Sequence, residues 1–274
     1  MACPLQRRAA MDPSEFDRLI ASAQNPRLIP GIYNYCDSRC HRCPFDDRCL
    51  TYLENREMEA RGGDRTDTTL VEVGASLQRT IEVITEAARR KGIDLDGLAG
   101  IGEDGSIDPD PDAHRQDPLA VQAREYGQLA WRVTNALGPL VEARGDPLVI
   151  DAVETIGWFS SLISAKIHRA VIGQAEYSEA DEDEDIQTDH DGSAKVTLIG
   201  IDESRAAWAV LMEHGKATAD GVPAQAVRML GALDEAVRAR FPLALEFVRP
   251  GFDEPEIAAG AQATLPPFAR RPRL

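Results

Sequence analysis

Four of the five cysteines lie close together near the start of the chain, at Cys36, Cys40, Cys43 and Cys49. Their spacing is Cys-x3-Cys-x2-Cys-x5-Cys, so all four fall within fourteen residues. Thiolates are soft ligands, and a group of four in one loop is typical of a site for zinc or for an iron–sulfur cluster. In a reducing cytosol, clustered cysteines are more often metal ligands than disulfides. We therefore predict a metal centre with these four residues as its ligands.

The spacing favours an iron–sulfur cluster over zinc. A structural zinc site usually takes its ligands as two short pairs separated by a long connection, because each pair occupies its own turn. Only two residues separate Cys40 from Cys43, which leaves no room for an independent second turn. A [4Fe–4S] cluster is larger and takes one thiolate at each of its four irons. We expect a [4Fe–4S] cluster, with zinc as the alternative cofactor and reduced structural thiols as the third interpretation.

The ten residues Cys40–Cys49, which read CHRCPFDDRC, resemble the CxxCPFxxxxC loops of [4Fe–4S]-containing nuclease domains and radical-enzyme accessory domains. The longer IYNYC…CxxCPF…C opening is similar to a family of uncharacterised bacterial proteins. The first resemblance implies a cluster, and neither implies a reaction. The first three cysteines also match the CxxxCxxC motif of radical-SAM enzymes. Those enzymes need a βα barrel, and this chain shows no alternation of strands and helices.

Composition limits the partners of the protein. Thirty basic and forty-six acidic residues give a formal net charge of −16. Nucleic acids and anionic membrane surfaces attract basic proteins, so we expect neither as a partner. The sequence contains no signal peptide and no uninterrupted apolar run of membrane-spanning length. We expect a cytoplasmic protein whose partner, a protein or a small molecule, the sequence does not identify.

Helical signals run through the rest of the chain. Asp-Pro pairs at 12–13, 117–118 and 146–147 are typical helix starts, because the aspartate caps the helix and proline suits its first turn. Apolar residues recur at helical spacing over 70–84, 119–140, 149–170 and 222–237. The β-branched stretch 196–201 would also suit a strand, but its continuation to 213 favours one helix from 194. The loops are predicted at 92–116 and 176–192. The sequence predicts an all-α helical bundle with an N-terminal cysteine-rich metal loop.

These elements predict that the chain divides into three segments. Residues 12–63 form the predicted cysteine-loop metal-binding segment, 64–249 the helical bundle, and 250–274, which contains five prolines, an extended tail.

A second candidate site lies between the two helices that meet at Gly145. A connection this short makes them antiparallel neighbours, so that position 145−k faces roughly position 145+k. By this reckoning Arg132 lies opposite Trp158, and Gln128 lies near Ser161. We predict that these four residues line one cofactor- or ligand-binding cavity, unless they face solvent on the outer side of the hairpin. Trp131, Trp158 and Trp208 fall on three different predicted helices, where large rings usually belong to the core.

No catalytic group is predicted. The sequence contains no phosphate-cradling Gly-Lys loop, nucleophile elbow or zinc-protease helix.

Overall fold

The computed structural model describes residues 12–60, 69–95, 113–177, 187–214 and 221–254. These residues form seven α-helices and no β-strand, which confirms the all-α prediction. The helices are α1 (Pro13–Ala23), α2 (Leu50–Ala60), α3 (Thr69–Lys91), α4 (Pro118–Arg144), α5 (Pro147–Glu176), α6 (Asp189–His214) and α7 (Val222–Arg240). Short 3-10 turns occur at Ile32–Asn34, Cys40–Arg42, Asp46–Arg48 and Ala113–Gln116.

The three Asp-Pro pairs start helices α1, α4 and α5. In each case an aspartate Oδ1 accepts the backbone N–H two residues later, which satisfies one of the unpaired donors at a helix start. These bonds are Ser14 to Asp12 (2.8 Å), Leu119 to Asp117 (2.9 Å) and Leu148 to Asp146 (3.1 Å). The intervening proline has no N–H to leave unpaired. Local sequence alone therefore determines where these helices begin.

The described residues divide into two compact units. The first contains residues 12–33, 40–60 and 69–95, and the second contains 34–39, 113–177, 187–214 and 221–254. Of the motif cysteines, Cys36 belongs to the second unit and the other three to the first. This division differs from the predicted segments, because α3 belongs with the cysteine turns rather than with the bundle.

The second unit is a four-helix bundle. Helix α5 packs against α4 and α6, and α7 packs against α6 and α4, which closes the ring of neighbours. The short connection at Gly145, which has a φ of +70°, makes α4 and α5 antiparallel. A buried polar contact crosses the core, where the indole N–H of Trp208 donates to the Tyr126 hydroxyl at 3.2 Å. Apolar side chains of all four helices fill the remaining interior.

Helix α6 is buried on almost every side of its N-terminal half. Every residue from Asp191 to Leu198 except Lys195 is buried, and so are Gly200 and Ile201. A helix that is apolar all round is a core helix, which explains why the stretch 196–201 has the composition of a strand. The helix begins at Asp189, five residues before the predicted start at 194. Asp189–Asp191, expected in the acidic loop, therefore form its first turn.

Helices α1 and α3 of the first unit meet through Arg90. Its guanidinium lies over the Phe16 ring, 4.3 Å from the centroid, and pairs with Asp17 at 2.6 Å. Glu86 accepts hydrogen bonds from Arg89 and Arg90, which lower the pKa of this carboxyl group to about 2. The pairing holds the C-terminal end of α3 against α1.

Several predicted loops fall outside the described residues. They include most of 92–116, the acidic stretch 178–186, and residues 255–274 of the predicted tail. The described stretch 241–254 packs against α6, where the Lys195 ammonium donates to the carbonyl oxygens of Phe247 and Leu245 and pairs with Asp253 at 2.9 Å.

Within the described part of the chain, α5 alone is long and apolar enough to cross a membrane. The core helix of a soluble protein can have the same length and apolar composition. In this structure one face of α5, from Val149 to Val171, lies in the core of the bundle. Its apolar character is accounted for by packing against α4 and α6.

The closest approach of α4 and α5 leads to a stability prediction. A Cβ atom on Gly127 would lie 2.5 Å from the backbone oxygen of Ser160, so Gly127→Ala has to push the two helices apart. We expect a loss of about 1–3 kcal/mol in the free energy of unfolding, as for other overpacked sites. The matched control is Gly231→Ala in α7, where no atom lies within 4 Å. It should stabilise the protein by about 0.5–1 kcal/mol, because alanine is the better helix former.

Urea unfolding followed by circular dichroism measures both changes. Equal effects of the two substitutions would show that α4 and α5 do not touch at Gly127.

Candidate functional site

Residues 34–39, called the strap below, carry the first motif cysteine across helix α5. Three bonds hold it there: Lys166 Nζ donates to the Asn34 oxygen (2.7 Å), Trp158 Nε1 to the Asp37 oxygen (2.7 Å), and Arg39 Nη1 to Thr155 Oγ1 (3.1 Å). The anchors occur in reverse order along the two segments, so the strap runs antiparallel to α5. From Thr155 to Lys166 it covers about 16 Å of the helix axis, at 1.5 Å per residue.

A charged cluster fixes the start of the strap. The Tyr35 hydroxyl donates to Asp189 Oδ1 at 2.9 Å, and Arg169 binds both oxygens of the same carboxylate. Burial, followed by the hydrogen bond to Asp189, raises the pKa of Tyr35 to about 12. Burial alone would raise the pKa of Asp189, but the bonds from Arg169 and Tyr35 lower it. Because Gly192 has no side chain, the rings of Tyr35 and Phe247 pack directly on α6.

The middle of the strap is a tight turn beside Cys36. Ser38 has a φ of +57°, a left-handed conformation that serine adopts at a cost. The backbone N–H of Arg39 donates to Asp37 Oδ1 at 3.0 Å and closes the turn. The Arg39 side chain is buried, and burying a guanidinium requires partners such as the Thr155 hydroxyl. Cys36 therefore occupies a position set by bonds on both sides of it.

Burial lowers the pKa of Lys166, and the nearby charge of Arg169 lowers it further. Lys166 is half-buried and serves as a strap anchor.

Tight turns carry the other three cysteines. The Cys43 N–H donates to the Cys40 oxygen at 3.1 Å, and the Cys49 N–H to the Asp46 oxygen at 3.4 Å. Phe45 lies between these turns and is buried, as are Ile29 and Ile32 of the same unit. The phenylalanine of the Cys-Pro-Phe motif is thus the apolar anchor of the loop.

The described cysteines are thiols, with Cys40 exposed and Cys36, Cys43 and Cys49 half-buried. Four thiols suit iron or zinc by donor type. No three Cys, His, Asp or Glu side chains in the described ranges form a group that holds a metal ion.

A groove of about 1120 Å³ runs between α4 and α5 in the second unit. Its lining includes small residues, such as Gly127, Ser160 and Ala165, together with longer side chains. The lining residues are Arg115, Gln116, Ala120, Arg124, Gly127, Gln128, Trp131, Arg132, Ser160, Ser161, Ser164, Ala165 and His168.

Three of the four predicted cavity residues line this groove together, namely Gln128, Arg132 and Ser161. Trp158 is not part of its lining, because its indole N–H is directed to the strap. The facing of the helices is close to the expected 145±k relation at Thr134 and Gly157, which lie 11 and 12 residues from Gly145. It departs by three residues at Gly127 and Ser160, which lie 18 and 15 residues away.

The expectation that large rings belong to the core holds for only one of the three tryptophans. Trp208 is fully buried, whereas Trp131 is 60% exposed and Trp158 is 41% exposed. Trp131 lines the groove, and Trp158 anchors the strap.

The basic and aromatic residues that complete the lining, Arg115, Arg124, Trp131 and His168, were not predicted for this cavity. Helical periodicity could have indicated part of this lining. One face of a helix follows the pattern i, i+4, i+7, i+8, which fits Arg124, Gln128, Trp131 and Arg132.

No family model matches the chain, and no curated protein or solved structure is significantly similar to it. The fold defines it as an all-α protein whose described residues include a four-helix bundle.

The Tyr35 contact leads to a pH prediction. A folded-state pKa raised from about 10 to about 12 contributes stability that is complete below pH 10 and is lost as the pH rises to 12. Spectrophotometric titration of phenolate should therefore show a tyrosine that titrates near pH 12 and that Tyr35→Phe removes. Burial also raises the pKa of Tyr126, so the difference between the wild type and the variant is the readout. The variant should also show a smaller loss of stability than the wild type between pH 10 and 12.

Tyr177→Phe is the matched control, because Tyr177 is an exposed tyrosine of the same unit. If Tyr35→Phe removes a group that titrates near pH 10, the hydroxyl is not held by Asp189.

Proposed function

We propose that this protein is a soluble, cytoplasmic metal-binding protein that carries a [4Fe–4S] cluster with a role in electron transfer or redox sensing. The observation that carries the proposal is the four-cysteine spacing, with Cys36, Cys40, Cys43 and Cys49 as ligands. Four thiolates in one short stretch match the ligand set of a cubane cluster. Such a cluster supplies one-electron chemistry, with a potential set by its surroundings.

The contacts of the loop agree with a structural role for its non-cysteine residues. Phe45 anchors the Cys40–Cys43 turn by burial. The Arg48 guanidinium donates a hydrogen bond to the Arg27 carbonyl oxygen at 3.1 Å. The Arg39 guanidinium donates a hydrogen bond to the Thr155 hydroxyl. Because the described residues contain no ready-made metal group, we expect metal loading to be coupled to local folding of the loop.

The second candidate is a zinc-stapled helical binding or scaffold protein without catalysis. The observation in its favour is the Cys40–Cys43 turn, because two cysteines separated by two residues on one tight turn also suit tetrahedral zinc.

Metal analysis of protein purified without oxygen distinguishes the two candidates. We expect a brown protein with roughly four iron and four sulfide per chain. Cys43→Ser should lose them, because one iron loses its thiolate. Cys3→Ser is the matched control, since it removes a cysteine outside the motif and should leave the metal content unchanged.

A colourless protein with one stoichiometric zinc per chain would establish the second candidate instead. A protein that retains neither metal rejects both.

Hydrogen exchange tests how the loop depends on the metal. In Cys43→Ser we expect loss of amide protection over residues 40–60, because the bound thiolates order these turns. Helices α4 to α7 should keep their protection, because their core is formed within their own unit. Loss of protection throughout the bundle would contradict this.

A further inference from the structure

The groove between α4 and α5 is a concentration of positive charge in an acidic protein. Three arginines and one histidine line it, Arg115, Arg124, Arg132 and His168, and none of the lining residues is acidic. The chain as a whole has a formal net charge of −16. A basic cleft on an acidic molecule attracts an anion to that place rather than to the whole surface.

Two arginines of this groove, Arg124 and Arg132, have no carboxylate partner among the described residues. Other arginines of the bundle pair with carboxylates, as Arg240 does with Asp117 at 2.7 Å and Arg249 with Asp253 at 3.0 Å. Arg124 instead donates to the backbone oxygen of Arg115 at 2.7 Å, which uses one donor and leaves its charge uncompensated. Among the described residues, Arg132 has no carboxylate partner.

The spacing of the two helix arginines suits an elongated anion. Arg124 and Arg132 are eight residues apart on α4, which is about 12 Å along the axis. Side chains that start this far apart can bind separate anionic groups of one molecule. The volume of about 1120 Å³ is also that of a site for an organic ligand.

The lining of the groove also includes an aromatic surface. Trp131 is 60% exposed and lines the groove, so its indole offers a flat face to a planar ring. Gln128 and Ser164 add an amide and a hydroxyl group to the same lining. Guanidinium groups bind phosphate through paired N–H donors. Phosphate and a planar ring in one molecule are the chemistry of a nucleotide.

We propose that this groove binds a free nucleotide carrying several phosphates, with Arg124 and Arg132 on its anionic groups and Trp131 against its base. A nucleic-acid strand extends beyond the groove, where the negative surface repels it. The site does not depend on the cysteine loop, so it stands or falls separately from the metal.

Equilibrium dialysis of the full chain with adenosine triphosphate tests the proposal. We expect saturable binding that Arg124→Gln/Arg132→Gln weakens at least tenfold, because both charged contacts are lost. Arg228→Gln is the matched control, since Arg228 is an exposed arginine of α7 outside the groove, and it should change the affinity less than twofold. Trp131→Ala should weaken binding of adenosine triphosphate but not of inorganic tripolyphosphate. Circular dichroism checks that each variant is folded.

Three results overturn the proposal. The first is absence of adenosine triphosphate binding, and the second is an equal loss of affinity in Arg228→Gln. The third is tighter binding of tripolyphosphate or of a single-stranded oligonucleotide than of adenosine triphosphate.

Discussion

The burial of α6 is the constraint on which the rest of the bundle depends. A helix surrounded on all sides needs neighbours beyond the two that a four-helix bundle provides. The strap and the segment 241–254 supply that cover through Tyr35 and Phe247, and Gly192 leaves room for both rings. Gly200 allows the same close packing against Phe159 of α5. Apolar burial of this kind is the main stabilising contribution in a small domain.

The same requirement places the strap, which carries Cys36, on the surface of the bundle. Residues 34–39 reach α6 through Tyr35 and are bound along α5 by Lys166, Trp158 and Thr155. Cys36 is therefore presented by a backbone that is held at both ends. A thiol on a fixed backbone loses less conformational entropy on ligation than one on a free loop. The bundle thus contributes to whatever ligand chemistry Cys36 takes part in.

Close helix packing also explains the groove. Gly127 lets the backbone of α4 approach Ser160, and the small residues around this contact leave the space above it unfilled. Arginines on the rim then enclose that space without entering it. Larger apolar residues at the same positions would have extended the core outward and removed the groove. The redox or metal chemistry proposed for the cysteines and the anion site proposed here therefore rest on different parts of the chain.

The sequence by itself determined the helical class, the helix starts at Asp12, Asp117 and Asp146, and the facing of α4 and α5 across Gly145. These features depend on bonds and turns within a few residues, so local residue types specify them. Only the tertiary structure decided that Trp158 anchors the strap, that Trp131 lines the groove, and that α3 belongs with the cysteine turns. The Trp158 anchor depends on a contact between residues 121 positions apart, and the other two outcomes depend on how separate elements pack. Periodicity shows that a helix has an apolar face, but not which distant segment covers it.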